Sequence, residues 1–114
     1  MSRSPITTHV LDTAIGQPAS GIKIALYMQV QSGWQLLASG ITNQDGRITD
    51  WLNPKTQLDK ATYKLSFDLA EYWQKQNQTI FYPSADICFN LIDEGHYHIP
   101  LLLSPFGYST YRGS

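Results

Sequence analysis

All three histidines of the sequence, His9, His96 and His98, sit in runs that alternate like strands, and Arg47 follows a sharp Asp-Gly turn. These residue types suit hydrolysis at neutral pH. A histidine, with an unperturbed pKa of about 6.5, can take up a proton and return it. A guanidinium is a planar fork of donors that orients a small flat molecule or meets developing negative charge. In His96-Tyr97-His98 the spacing puts both rings on one strand face, within reach of a common metal if His9 supplies a third ligand. Each residue also has a plain structural reading. One or both of His96 and His98 would be solvent-facing rings on an edge strand, His9 a half-buried ring bonded to backbone, and Arg47 a solvated turn residue. The familiar catalytic spacings, Gly-x-Ser-x-Gly, His-Glu-x-x-His, Cys-x-x-Cys and a phosphate-cradling glycine loop, do not occur.

The run Tyr111-Arg112-Gly113-Ser114 raises the same choice between idle and functional. Last residues usually fray, but Tyr111 continues a strand-like alternation, so the residues after it follow closely on ordered structure. Gly113 lets the backbone approach another group closely.

Strands must position these residues. The stretch ITTHVL around His9 is rich in β-branched residues and closes at Gly16-Gln17-Pro18. In IKIALYMQV, Ile22, Ile24, Leu26, Met28 and Val30 share one face, the period of a half-buried strand. A tight Ser32-Gly33 connection then leads into WQLLASGI, giving a hairpin. TYKLSF, DICFNLI, HYHIPLLL and GYSTYR read as further strands, and residues 53–61 as a loop. Pro100 has no N–H for a ladder, so its strand should have an edge or a bulge there. One segment, DLAEYWQKQN, has helical spacing instead, with Leu69, Tyr72, Trp73 and Gln76 on one side and Asp68 placed to cap it. About seven strands with one short helix predict an all-β fold, a Greek-key β-sandwich.

Composition bounds the rest. A chain of 114 residues, 42% of them apolar and 15% charged, fits a single domain over residues 1–114 with a real core. Eight basic against nine acidic residues give a net charge of −1 with no basic run, which argues against nucleic acid as a partner. Cys88 is the only cysteine and is expected to be a small buried hydrophobe. The start has no apolar signal segment and no stretch approaches membrane-spanning length, so the cytoplasm is the expected location. A modest core makes association of subunits plausible.

The stretches ITTHVLDTAIGQPA, DGRI and HYHIPLLLSPFGYSTYRGS, in this order, closely resemble the transthyretin-related proteins that act as 5-hydroxyisourate hydrolase. The similarity spans essentially the whole chain and is most specific from His96 to Ser114. It implies a transthyretin-like sandwich, assembly as a homotetramer of two dimers with sites between the dimers, and no metal or other cofactor. It also implies catalytic roles for His9, Arg47 and His98, substrate binding by His9, Arg47, Tyr111, Arg112, Gly113 and Ser114, and a structural role for His96. The reaction implied is opening of the cyclic amide of 5-hydroxyisourate at N1–C6, giving 2-oxo-4-hydroxy-4-carboxy-5-ureidoimidazoline in urate degradation. The expected departures, around Ile48-Thr49-Asp50 and residues 53–61, lie outside these positions. Two other readings remain: a binding module, since transthyretin carries small aromatic hormones on this fold but lacks the histidine, arginine and Tyr-Arg-Gly-Ser set, and a three-histidine metal hydrolase.

Overall fold

The computed structural model describes residues 4–113 and folds them as two β-sheets packed face to face, with one short helix among the described residues. The strands are β1 (Ile6–Asp12), β2 (Gln17–Pro18), β3 (Lys23–Val30), β4 (Gly33–Ile41), β5 (Arg47–Ile48), β6 (Thr62–Asp68), β7 (Ser84–Asn90), β8 (Tyr97–Ser104) and β9 (Gly107–Thr110). The helix α1 is Ala70–Lys75. One sheet runs β2-β1-β8-β9, with β5 also paired to β1; the other runs β4-β3-β6-β7.

Period-two alternation explains both sheets. Ile24 and Leu26 of β3 and Tyr63, Leu65 and Phe67 of β6 point inward from one sheet, and Ile6, Val10, Ile99, Leu101 and Leu103 meet them from the other. Burying each large apolar side chain contributes roughly 1.5–3 kcal/mol. Their outward neighbours on β1 and β8 are therefore aligned on the opposite face of the same sheet, and that face is the one that matters for chemistry.

Several expectations are corrected. Gln17–Pro18 does more than turn: it pairs with Leu11 and Asp12 of β1. Asp68 ends β6 and does not cap α1, whose N-terminus at Leu69 has no side-chain cap. The Pro83 carbonyl accepts from the Leu69 and Ala70 amides instead, so the orphan donors of the first turn are met by backbone. Cys88 is exposed, because on β7 it is Ala85, Ile87 and Phe89 that turn inward.

Pro100 is the most informative correction. Its strand β8 is internal, parallel to β1 on one side and antiparallel to β9 on the other. The β8–β9 ladder runs from Ser104↔Gly107 to Leu101↔Thr110 and then lapses at the proline, which has no amide to offer. It resumes in the same register as a single bridge, His98↔Gly113. The gap is spanned by the Thr110 hydroxyl, which donates to the Pro100 carbonyl at 2.7 Å. Proline thus interrupts the ladder without making an edge, and the tail returns to β8 opposite His98.

Candidate active site

Thr7 and His9 alternate outward on β1, and the parallel register sets Thr7 beside His98 and His9 beside Pro100. This brings two of the sequence's candidate residues into contact. His9 Nδ1 and His98 Nε2 are 2.6 Å apart, and the two rings stack with centroids 4.8 Å apart at 27°. His98 is buried, only 7% exposed, whereas His9 is half-buried. The other ring nitrogen of His98, Nδ1, lies 2.8 Å from the Thr7 hydroxyl, and the same hydroxyl is 3.0 Å from His96 Nε2. Among the described residues, His9 Nε2 makes no hydrogen bond and is the nitrogen of the pair left to meet a substrate or a water.

Arg47 arrives from a turn built for the purpose. The Asn43 side-chain carbonyl accepts from the amides of Asp45 and Arg47, and Gly46 takes φ of +71°. Gly46 also passes so close to β1 that a Cβ there would stand 2.5 Å from the Val10 carbonyl, so only glycine fits. The following residue, Arg47, is then locked opposite His9 in the β1–β5 register. Cross-strand partners of this kind share a face. Burial first, and the positive charge of Arg47 second, hold the His9 pKa below its ordinary value. Both effects favour the neutral His9 ring, the form that accepts a proton.

The tail closes over the pair. The Gly113 amide donates to the His98 carbonyl at 2.7 Å, and a Cβ at Gly113 would lie 2.7 Å from His98 Cδ2 and 3.3 Å from Pro100 Cγ. Gly113 is not in the left-handed region, so the constraint is space alone. Tyr111 is exposed. Arg112 goes elsewhere: its guanidinium stands 4.3 Å above the Tyr97 ring, on the opposite side of the sheet from the His9–His98 pair. Ser114 lies outside the described residues.

His96 is not merely solvent-facing. It enters from the Asp93–Gly95 turn, where the Asp93 carboxylate accepts from the Gly95 amide and the Tyr97 hydroxyl, both at 2.9 Å. The sequence reading missed Thr7. The signal was there in its position two residues before His9 on the same strand face, but a threonine in a β-branched strand reads as a strand former. Three histidines converging on one metal is not the arrangement observed. The nitrogens bond to one another and to Thr7, and among the described residues no group of three His, Cys, Asp or Glu is placed to hold a metal ion. A separate cleft of about 560 Å³, lined by residues such as Lys55, Asp59, Lys60 and Glu94, contains none of His9, Arg47 and His98.

A two-sheet sandwich with one short helix, carrying a histidine pair and an arginine on the outer face of one sheet, defines the class as transthyretin-like. The chain belongs to the HIUase/Transthyretin family, whose model matches residues 6–113. It is 46% identical over 114 residues to the 5-hydroxyisourate hydrolase of Mus musculus, covering 97% of this chain and 96% of that one. It is 43% identical over 120 residues to 5-hydroxyisourate hydrolase 2 of Rhizobium meliloti (strain 1021), covering both fully. Among solved structures it superposes on 5-hydroxyisourate hydrolase of Klebsiella pneumoniae with a TM-score of 0.83 at 32% identity, covering 96% of this chain and 98% of that one. Transthyretin of Sparus aurata superposes with a TM-score of 0.89, also at 32% identity, covering 97% of each.

Proposed function

We propose that this protein is a 5-hydroxyisourate hydrolase, opening the cyclic amide at N1–C6 to give 2-oxo-4-hydroxy-4-carboxy-5-ureidoimidazoline. The observation that carries this reading is the 2.6 Å contact between His9 and His98 opposite Arg47, in a chain 46% identical over nearly its whole length to a hydrolase of that name. Fold likeness alone would not separate hydrolase from carrier, because the two solved relatives share the same identity of 32% and similar superposition. The site favours the hydrolase. A carrier channel gains nothing from a desolvated histidine biased to its neutral form beside a guanidinium, whereas amide hydrolysis can use the first as a base and the second against the oxyanion.

In the reaction, His9 Nε2 takes a proton from the water that attacks the C6 carbonyl, with His98 bonded behind it. Arg47 orients the planar substrate and meets the oxyanion as the carbonyl carbon becomes tetrahedral. The proton returns to N1 as the C6–N1 bond breaks, so no protein nucleophile is required. Gly113 forms the wall beside the pair, and Tyr111 and Ser114 complete the proposed substrate-binding end without Arg112, whose guanidinium lies over Tyr97 on the other side of the sheet.

The chain acts as one domain over residues 1–114 and assembles as a homotetramer of two dimers. Support comes from the paired-off sheets, whose edges β7 and β9 carry exposed Phe81, Phe106 and Tyr108 at or beside their ends, an apolar surface of the kind that association covers. No helix among the described residues is long and apolar enough to cross a membrane, and the cytoplasm is the proposed compartment. The test is the rate at which purified protein removes freshly generated 5-hydroxyisourate, followed by ultraviolet absorbance. Clear acceleration over spontaneous decay is expected; decay at the spontaneous rate from folded tetramer refutes the hydrolase reading.

A further inference from the structure

We propose that Thr7 and His96 extend the histidine pair into a four-group proton relay, His9–His98–Thr7–His96, in which the Thr7 hydroxyl sets the direction of every hydrogen bond. The inference rests on the hydrolase reading for its purpose, but its geometry is independent of it. Thr7 is 1% exposed, and its oxygen lies 2.8 Å from His98 Nδ1 and 3.0 Å from His96 Nε2. A hydroxyl has one proton, so it donates to one ring and accepts from the other.

Two arrangements of neutral rings satisfy all three contacts. In the first, Thr7 donates to His96 Nε2, His98 Nδ1–H donates to Thr7, and His9 Nδ1–H donates to His98 Nε2. His9 Nε2 then carries a bare lone pair and is the base. In the second, every bond is reversed: His96 Nε2–H donates to Thr7, Thr7 to His98 Nδ1, and His98 Nε2–H to His9 Nδ1. His9 Nε2 then carries a proton. A proton accepted from water by His9 Nε2 converts the first arrangement into the hydrogen-bond pattern of the second, now with His96 protonated at both nitrogens, when each bridging proton moves one step. His9 Nδ1–H passes its proton to His98 Nε2, His98 Nδ1–H to Thr7, and Thr7 O–H to His96 Nε2. One proton enters at His9 and one positive charge appears on His96, which retains its Nδ1–H.

The benefit is electrostatic. Without the relay, the imidazolium forms on His9, where burial and Arg47 already disfavour it. With it, the charge moves to His96, farther along the chain of contacts from Arg47. The reverse movement returns the proton to His9 Nε2 for delivery to the leaving nitrogen, so one ring serves as base and then acid. Thr7 and His96 are positioning residues here, acting through His9.

The experiment compares wild type with Thr7→Val, which keeps the shape and removes the hydroxyl, with Thr7→Ser, which restores it, and with His96→Gln. Steady-state rates are taken in mixtures of H2O and D2O, and the ring nitrogens are followed by ¹⁵N NMR. Wild type should show a curved dependence of kcat on deuterium fraction, the mark of several protons in flight. Thr7→Val and His96→Gln should lower kcat about 10-fold or more, as expected for loss of proton-transfer assistance, and make the dependence linear, while Thr7→Ser recovers the curvature. A Thr7→Val enzyme with wild-type kcat and unchanged curvature, beside an inactive His98→Asn, would overturn the relay and leave the hydrolase intact. If wild type itself is inactive, the hydrolase reading fails, and the ring spectra still decide the relay. Its prediction is two exchanging His98 tautomers in wild type and one in Thr7→Val; identical His98 shifts in both would overturn it. Should Thr7→Val fail to fold, His96→Gln beside Thr7→Ser decides the same question: linear dependence in the first and curvature in the second support the relay, and curvature in both overturns it.

Discussion

Substituting Gly113 by alanine adds one methyl group at the point where the tail crosses His98. That methyl would lie 2.7 Å from His98 Cδ2, 3.2 Å from the His98 carbonyl oxygen and 3.3 Å from Pro100 Cγ. Carbon atoms in good contact stand about 3.5–4.0 Å apart, so the ring contact is short by roughly 0.8 Å or more. None of the three neighbours can yield easily. Pro100 is rigid, the carbonyl belongs to an internal strand, and the His98 ring is bonded at both nitrogens. The tail must lift, losing the 2.7 Å bond from the Gly113 amide, or the ring must swing away from His9. Loss of the bond costs about 0.5–1.5 kcal/mol of stability, whereas a ring displacement near 1 Å can cost about 10²-fold in rate. The expected outcome is a folded Gly113→Ala protein with kcat/KM for 5-hydroxyisourate lowered about 10- to 100-fold, and a melting temperature lowered by only a few degrees. The assay is initial-rate kinetics beside thermal unfolding. Activity within about 3-fold of wild type would refute the claim that the tail's close approach holds the histidine pair in place.

Replacing His98 by Asn should lower kcat by about 10²-fold or more if the ring handles protons, and a rate within a few-fold of wild type in the same assay would remove it from the mechanism. The pH profile of kcat/KM should show an acid limb below the ordinary histidine value of 6.5, because burial and then Arg47 lower the His9 pKa. The working form is neutral, so activity is full above the folded pKa and falls as pH drops through it. Stability follows the same sign, being fully present above pH 6.5 and declining below it as the unfolded chain takes up the proton first. Arg47→Gln should move the limb upward, and a wild-type limb at or above 6.5 would contradict the assigned environment. Tyr72→Phe removes the 2.7 Å bond that the helix donates to Asp12, a carboxylate only 1% exposed whose other oxygen accepts from the Ala14 amide. Urea unfolding should register a loss of about 1.5–3 kcal/mol, the range for hydrogen bonds to charged groups; a change under about 0.5 kcal/mol would mean Asp12 finds water instead.

Alternation along the chain by itself determined the strands, because a residue's face in a strand depends only on its parity. Ile24 with Leu26, and Leu101 with Leu103, were legible as core for that reason, and His9 with Thr7 was fixed to one side of β1. The Asp45-Gly46 turn was equally legible, since a positive φ selects glycine locally. What period two cannot specify is which strand lies beside which, and every interaction of the site depends on that. The parallel β1–β8 register joins residues 7 and 9 to residues 96 and 98, a pairing with no local signal because the contacts span nearly the whole chain. Pro100 marked a break in a ladder, but whether that break fell at an edge or inside a sheet depended on its neighbours. Arg112 and Gly113 are adjacent in sequence, yet the resumed β8–β9 register sends one side chain to Tyr97 and lays the other residue against His98. Cys88 was misplaced because hydrophobicity suggested burial, while parity on an edge strand turned it outward. Residue types and local periods thus announced the chemistry available; sheet order and register, which sum weak contacts over the whole chain, decided which groups meet.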